Sequence, residues 1–247
     1  MYLYDLILFL ITFVGGSIPL WNKSWTEQQM KYLLAFSGAY LLGITLLHLV
    51  PEVILENGSM AGAFILVGFF FQQIIQPFTH GVEHGHAHLD HGHEINIWPL
   101  FIGLGFHAFM EGMPLGVQYH DNATVPSLYI AIAFHKIPEA MLIASLVLFA
   151  TKDRKKAWLS LAGFSLLTPI ATILTVVAKE NILMLNSFIN YAIPFVAGAF
   201  IHISTTIFFE SGTKKHEMDW KKWLTIMIAI AISMLTLLGG APHEHVH

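Results

Sequence analysis

Residues 124–150 read TVPSLYIAIAFHKIPEAMLIASLVLFA, an apolar run interrupted near its middle by His135, Lys136, Pro138 and Glu139. A bilayer span needs about 20 mostly apolar residues, and this stretch is long enough to span with room to tilt. Working outward from it, residues 2–21, 32–55, 60–79, 97–118, 157–178, 187–209 and 223–239 qualify in the same way, and the connections between them are short. The fold class is therefore all-α integral membrane. The expected form is an eight-transmembrane-helix bundle built as a single polytopic membrane domain over residues 1–247.

Composition agrees. Hydrophobic residues make up 55% of the chain and charged residues 11%, against about a quarter charged in soluble domains, and the mean hydropathy is +0.63. Too little polar side chain is present to coat a water-facing globule, so the lipid bilayer is the first partner. No basic stripe suits nucleic acid. Cysteine is absent, which excludes thiolate metal sites and Cys nucleophiles, while histidine occurs 15 times against 12 for Lys and Arg together. Neutral imidazole is the commonest ligand for borderline metals.

Lys and Arg in alternate loops set the orientation. One side receives Lys23, Lys31, Lys152, Arg154, Lys155, Lys156, Lys214, Lys215, Lys221 and Lys222, and the other only Lys179. This places both termini on the non-cytosolic side of a multi-pass protein. The opening MYLYDLILFL has no positive n-region and carries Asp5, so it is expected to be a retained first span. The segment 80–94, HGVEHGHAHLDHGHE, falls on the cytosolic side between the third and fourth spans. Its His80, His84, His86, His88, His91 and His93 are expected to bind metal weakly and exchangeably there. A smaller cluster, His243, His245 and His247, ends the chain.

Three spans carry a histidine followed four residues later by a glutamate: His48 and Glu52 in HLVPE, His107 and Glu111 in HAFME, His135 and Glu139 in HKIPE. That spacing puts both side chains on one helical face. Ionisable groups at membrane depth are costly and read as functional by default. Imidazole nitrogen with carboxylate oxygen suits Zn²⁺ and also Fe²⁺, Mn²⁺ and related ions. An oxygen-only Ca²⁺ or Mg²⁺ site would not need this much histidine. Pro51 and Pro138 lack the N–H that the carbonyls of Leu47 and Phe134 would otherwise meet, which predicts bends beside His48 and His135. At a rise of ~1.5 Å per residue, His48 lies nearer the outer end of its span than His107, and Glu52 nearer still. Both suit an outer mouth.

Lys136, adjacent to His135, needs a partner at that depth. Either it faces a water-filled vestibule, or it holds, as a fixed cation, the space of a second metal. His202 is a further pathway residue, whereas Gln72, Gln73, Gln76, Thr168, Ser204, Thr205 and Thr206 are expected to join helices to one another. The alternative chemistry for the same His and Glu residues is an intramembrane metal-dependent hydrolase or oxidase, with an open coordination position.

At these residues the chain resembles the ZIP (Zrt/Irt-like) metal transporters. The likeness runs through HLVPE, the histidine-rich loop, HAFMEGMPLG and HKIPEA. It implies a 3+2+3 arrangement in which spans four and five line the site, flanked by three-helix inverted repeats. It further implies zinc, iron or manganese uptake toward the cytosol across the plasma (inner) membrane, with Cd²⁺ a further ion, and often a homodimer. Matched residue by residue, the ligands are His107, Glu111, His135 and Glu139, with His48 contributing in some members. The departures concern the binuclear sites common in that family. Ala108 stands where an Asn ligand is usual, Lys136 replaces a polar or acidic residue, and a span-seven carboxylate gives way to the Ser204–Thr206 run. Together they imply a mononuclear site with Lys136 in place of the second metal.

Overall fold

The computed structural model describes residues 2–21, 26–76, 97–210 and 219–239. The loop 80–94, with His80, His84, His86, His88, His91 and His93, lies outside the described residues, as do His243, His245 and His247. Among the described residues every regular element is helical.

HKIPE stays within one uninterrupted helix, α6 (Thr124–Thr151), despite Pro138. That helix stops where Lys152 turns left-handed at φ 53° and its N–H closes back on the Leu148 carbonyl. HLVPE is accommodated differently. α2 (Glu27–Ile44) runs through one π-helical turn, Thr45–Leu49, into α3 (Val50–Asn57). The Val50 N–H reaches five residues back, to Thr45. The wider turn sits directly ahead of Pro51 and contains His48, so the helix is locally re-wound and remains one rod over Gln28–Asn57.

The remaining helices are α1 (Tyr2–Gly16), α4 (Ser59–Ile75), α5 (Ile97–Gly112), α7 (Arg154–Asn181), α8 (Leu183–Glu210) and α9 (Trp220–Leu235). Their starts are chemically marked. Thr26 and Gln29 form a reciprocal capping box on α2, and the carboxylates of Asp153 and Asp219 accept from the first free N–H groups of α7 and α9. Gly58, at φ 57° and ψ −140°, turns α3 into α4 in a conformation that essentially requires glycine.

α1 and α7 pack along α6, and α5 packs along α7; α4 packs along α8, and α2 lies against α6, α8 and α9. The closest approach is between α4 and α8. There a Cβ on Gly68 would stand 1.8 Å from the Phe195 carbonyl oxygen, and one on Gly198 1.9 Å from that of Ile65. Small residues let helix backbones meet where lipid offers no hydrophobic drive for association.

The core is apolar, as in a soluble protein, but it encloses charged groups and the exterior is apolar as well. Glu111, His135, Glu139 and Lys136 are buried, while Leu55, Ile102 and Leu159 are each 70% exposed. So large an apolar exterior requires lipid, not water. Among the described residues five helices are long and apolar enough to cross a membrane: Gln28–Asn57, Thr124–Thr151, Arg154–Asn181, Leu185–Ile207 and Trp220–Leu238. Tyr2–Gly16 and Ser59–Ile75 are shorter apolar helices. α4 borders the segment outside the described residues and is described only to Ile75 of the span 60–79, whereas α5 starts at Ile97 as expected and ends at Gly112, short of 118, where the 3₁₀ turn Met113–Gly116 takes over.

Candidate metal site

α5 and α6 each present a His and a Glu one turn apart, and the two faces meet. His107 Nε2 lies 3.3 Å from Glu111 Oε1 and 3.0 Å from Glu139 Oε1. His135 Nε2 lies 3.5 Å from Glu111 Oε1 and 3.3 Å from Glu139 Oε1. One donor atom from each of the four residues falls within 4.8 Å of all the others, and all four side chains are buried. The imidazole rings stand edge to face, 5.8 Å apart.

Each glutamate divides its two oxygens. The Oε1 atoms face the histidines, and both Oε2 atoms face Lys136, whose Nζ lies 2.7 Å from Glu139 Oε2 and also pairs with Glu111 Oε2. Lys136 is 1% exposed, and Phe164 of α7 lies beneath its ammonium, 4.8 Å from the ring centroid. Lys136 is thus held between two carboxylates. Two buried anions around one buried cation satisfy one another where neither charge could stand alone.

The third His–Glu face lies elsewhere. His48 places Nε2 2.6 Å from Thr236 Oγ1 and Nδ1 3.3 Å from Asp121 Oδ2. Glu52 accepts from the backbone N–H groups of His120 and Asp121, at 2.9 and 2.6 Å, and lies 3.1 Å from His120 Nδ1. Both therefore hold the α5–α6 connection. A cavity of about 70 Å³ opens beside Glu52, Glu56, His120 and Lys179. In the same connection Tyr119 is half-buried, and burial, followed by the nearby Glu52 charge, pushes its hydroxyl well above the ordinary phenol pKa.

His202 is also apart from the four. It is buried on α8, with its ring edge-on to Phe69 at 5.0 Å. Thr168 does join helices, donating to the Ala108 carbonyl at 2.9 Å. Thr205 and Thr206 donate instead to carbonyls of their own helix, at Ile201 and His202. This is the back-bonding that a hydroxyl finds when no facing acceptor is nearer.

Sequence reasoning did not single out His120, Asp121, Thr172 or Phe164, since a loop residue, a hydroxyl and an aromatic carry no periodic signal. Asp5 had one. It is a carboxylate inside an apolar helix, buried and accepting from the Tyr129 hydroxyl at 2.7 Å.

With this geometry in hand, the ZIP zinc transporter family pattern matches residues 80–240. Zinc transporter ZIP9-B of Xenopus laevis is 24% identical, over 94% of this chain and 94% of that protein. Zinc transporter YKE4 of Saccharomyces cerevisiae is 24% identical, over 84% of this chain and 70% of that protein. Zinc transporter ZIP9 of Macaca fascicularis reaches 30% identity over a shorter match, 42% of this chain and 47% of that protein.

Proposed function

Because this chain belongs to the ZIP zinc transporter family, we propose that it carries Zn²⁺ through the membrane by way of His107, Glu111, His135 and Glu139. It is a multi-pass membrane protein of a transporter family and not an enzyme. The observation that carries the reading is the spacing of the four donor atoms. Zn–N and Zn–O bonds of about 2.0–2.2 Å require tetrahedral edges of about 3.3–3.6 Å. The four His–Glu separations run from 3.0 to 3.5 Å.

Zn²⁺ is the substrate, taken by two imidazole Nε2 atoms and two carboxylate Oε1 atoms. The imidazoles ligate only when neutral, so binding releases any proton they share with the glutamates. Neither Nδ1 finds a hydrogen-bond partner among the described residues. Histidines that retain a metal are usually oriented by a second hydrogen bond, which raises affinity about 10–100-fold. A bare Nδ1 suits a site that must also release its ion.

One ion is the proposed load. Two glutamates and Lys136 carry a net charge of −1 among them, so one Zn²⁺ brings the site to +1 and a second would bring it to +3 in a buried setting. Lys136 thus stands in electrostatically for a second metal. Fe²⁺, Mn²⁺ and Cd²⁺ fit the same donors. His48 and Glu52 line the outer end of the route, His202 lies on its course, and the loop 80–94 receives the ion on the cytosolic side.

The wider arrangement is eight spans in one domain over 1–247, grouped 3+2+3, in the plasma (inner) membrane. Both termini lie outside the cytosol, Zn²⁺ moves inward, and the assembly is a homodimer. The excess of Lys and Arg on one side of the spans supports this orientation.

Zinc uptake into proteoliposomes tests the route. His107→Ala is expected to lose at least about tenfold in rate, as removal of one of four ligands from a metal site requires; uptake equal to wild type would overturn the reading. Stoichiometry tests the load. Apart from weak, exchangeable binding in the loop 80–94, wild type is expected to hold one tightly bound Zn²⁺ per chain and Lys136→Asp a second, and an unchanged number of tight ions in Lys136→Asp would remove Lys136 from this role.

A further inference from the structure

α7 supplies none of the four donor groups, yet three of its side chains, each one turn from the next, touch the helices that do. Phe164 lies under the Lys136 ammonium, and Thr168 Oγ1 donates to the Ala108 carbonyl at 2.9 Å. Thr172 Oγ1 donates between the Gly112 carbonyl and the Thr168 carbonyl of its own helix, each at 3.1 Å. Ala108 directly follows His107, and Gly112 directly follows Glu111. Each hydroxyl therefore holds the carbonyl of the residue that follows a donor residue.

The Thr172 bond falls where α5 ends. Gly112 is its last residue, followed by the 3₁₀ turn Met113–Gly116. The final carbonyls of a helix have no partner within it, and in the hydrocarbon there is no water to supply one. Thr172 meets one of them, and Thr168 reaches the carbonyl one turn earlier. Both threonines are buried, at 0% and 2% exposure. Gly112 and Gly116 permit the approach: a Cβ on either would stand 2.3 Å from the Thr168 carbonyl oxygen or 2.6 Å from that of Thr172.

We propose that Thr168 and Thr172 are positioning residues of the metal site. Their hydroxyls set the height of α5 against α7, and so bring His107 Nε2 and Glu111 Oε1 to the spacing that His135 and Glu139 on α6 require. The inference rests on the proposed ligand set, and goes beyond it by assigning the geometry of that set to a helix that donates no ligand. Metal geometry tolerates displacements of only about 0.5 Å, less than a slip of α5 by one residue (~1.5 Å).

The test compares purified wild type, Thr168→Val, Thr172→Val, the double valine variant, Thr168→Ser, Thr172→Ser and His107→Ala in detergent. Zn²⁺ affinity, the absorption bands of bound Co²⁺ and the thermal midpoint are measured on each. The valines keep the branched shape and remove the hydroxyl, while the serines keep the hydroxyl. The double valine variant is expected to bind Zn²⁺ about tenfold more weakly, in the range found when second contacts of metal ligands are removed, with altered Co²⁺ bands. Each single valine change should give part of that loss, and the serines should stay close to wild type. Valine variants that fold and bind like wild type would overturn the proposal, as would serine variants that lose as much as the valines. If His107→Ala binds Zn²⁺ undiminished, the ligand set itself falls and this inference with it. Loss in His107→Ala with none in the valine variants would remove only the positioning role.

Discussion

Lys136 is the residue on which the site's electrostatics turn. Its ammonium is enclosed by Glu111, Glu139 and the Phe164 ring, and its removal would leave two Oε2 atoms facing each other with no cation between them. Like charges that close cannot both remain ionised without a counter-ion. Lys136→Met is therefore expected to lower the stability of the metal-free protein by about 3–5 kcal/mol, the usual result of breaking a buried ion pair. Added Zn²⁺ should restore more stability in the variant than in wild type, because the metal then supplies the only positive charge. Thermal melting with and without Zn²⁺ checks this, and a metal-free variant that melts with wild type would contradict it.

Between helices, the glycine contacts are the sharpest. A methyl group on Gly68 or Gly198 would drive into a backbone carbonyl of the facing helix, which cannot swing aside as a flexible side chain can. Gly68→Ala should lower stability by about 1–3 kcal/mol, the range for overpacking a tight core. Gly62, with nothing within 4 Å of its Cβ position, should accept alanine without loss, and the pair of midpoints decides the point. The α5–α6 connection offers a separate test. Glu52 accepts the N–H groups of both His120 and Asp121. Glu52→Gln should weaken these charge-assisted bonds and speed amide exchange at those two positions, with little change within α6. Unchanged exchange there would mean that the carboxylate does not hold the loop.

For the whole molecule, the proposed transport cycle makes acid an inhibitor. Imidazoles that must be neutral to ligate compete with protons on acidification. Initial zinc uptake at low Zn²⁺ should fall on acidification and recover when Zn²⁺ is raised. A loss that excess Zn²⁺ does not relieve would place the titrating group outside the metal site.

Much of the fold and half of the site geometry were legible along the chain. The apolar runs mark membrane helices, and i,i+4 spacing places His107 with Glu111, and His135 with Glu139, on shared faces. Tertiary structure alone decided which faces meet. Three His–Glu faces are equivalent in sequence, yet two converge while His48 and Glu52 turn to Thr236, His120 and Asp121. The division of each glutamate between histidine and Lys136, and the threonine contacts behind α5, likewise exist only between helices. The physical reason lies in the solvent. In water, hydrophobicity separates inside from outside, but in lipid both the core and the exterior are apolar, so the pattern along a helix does not say which side faces its neighbours.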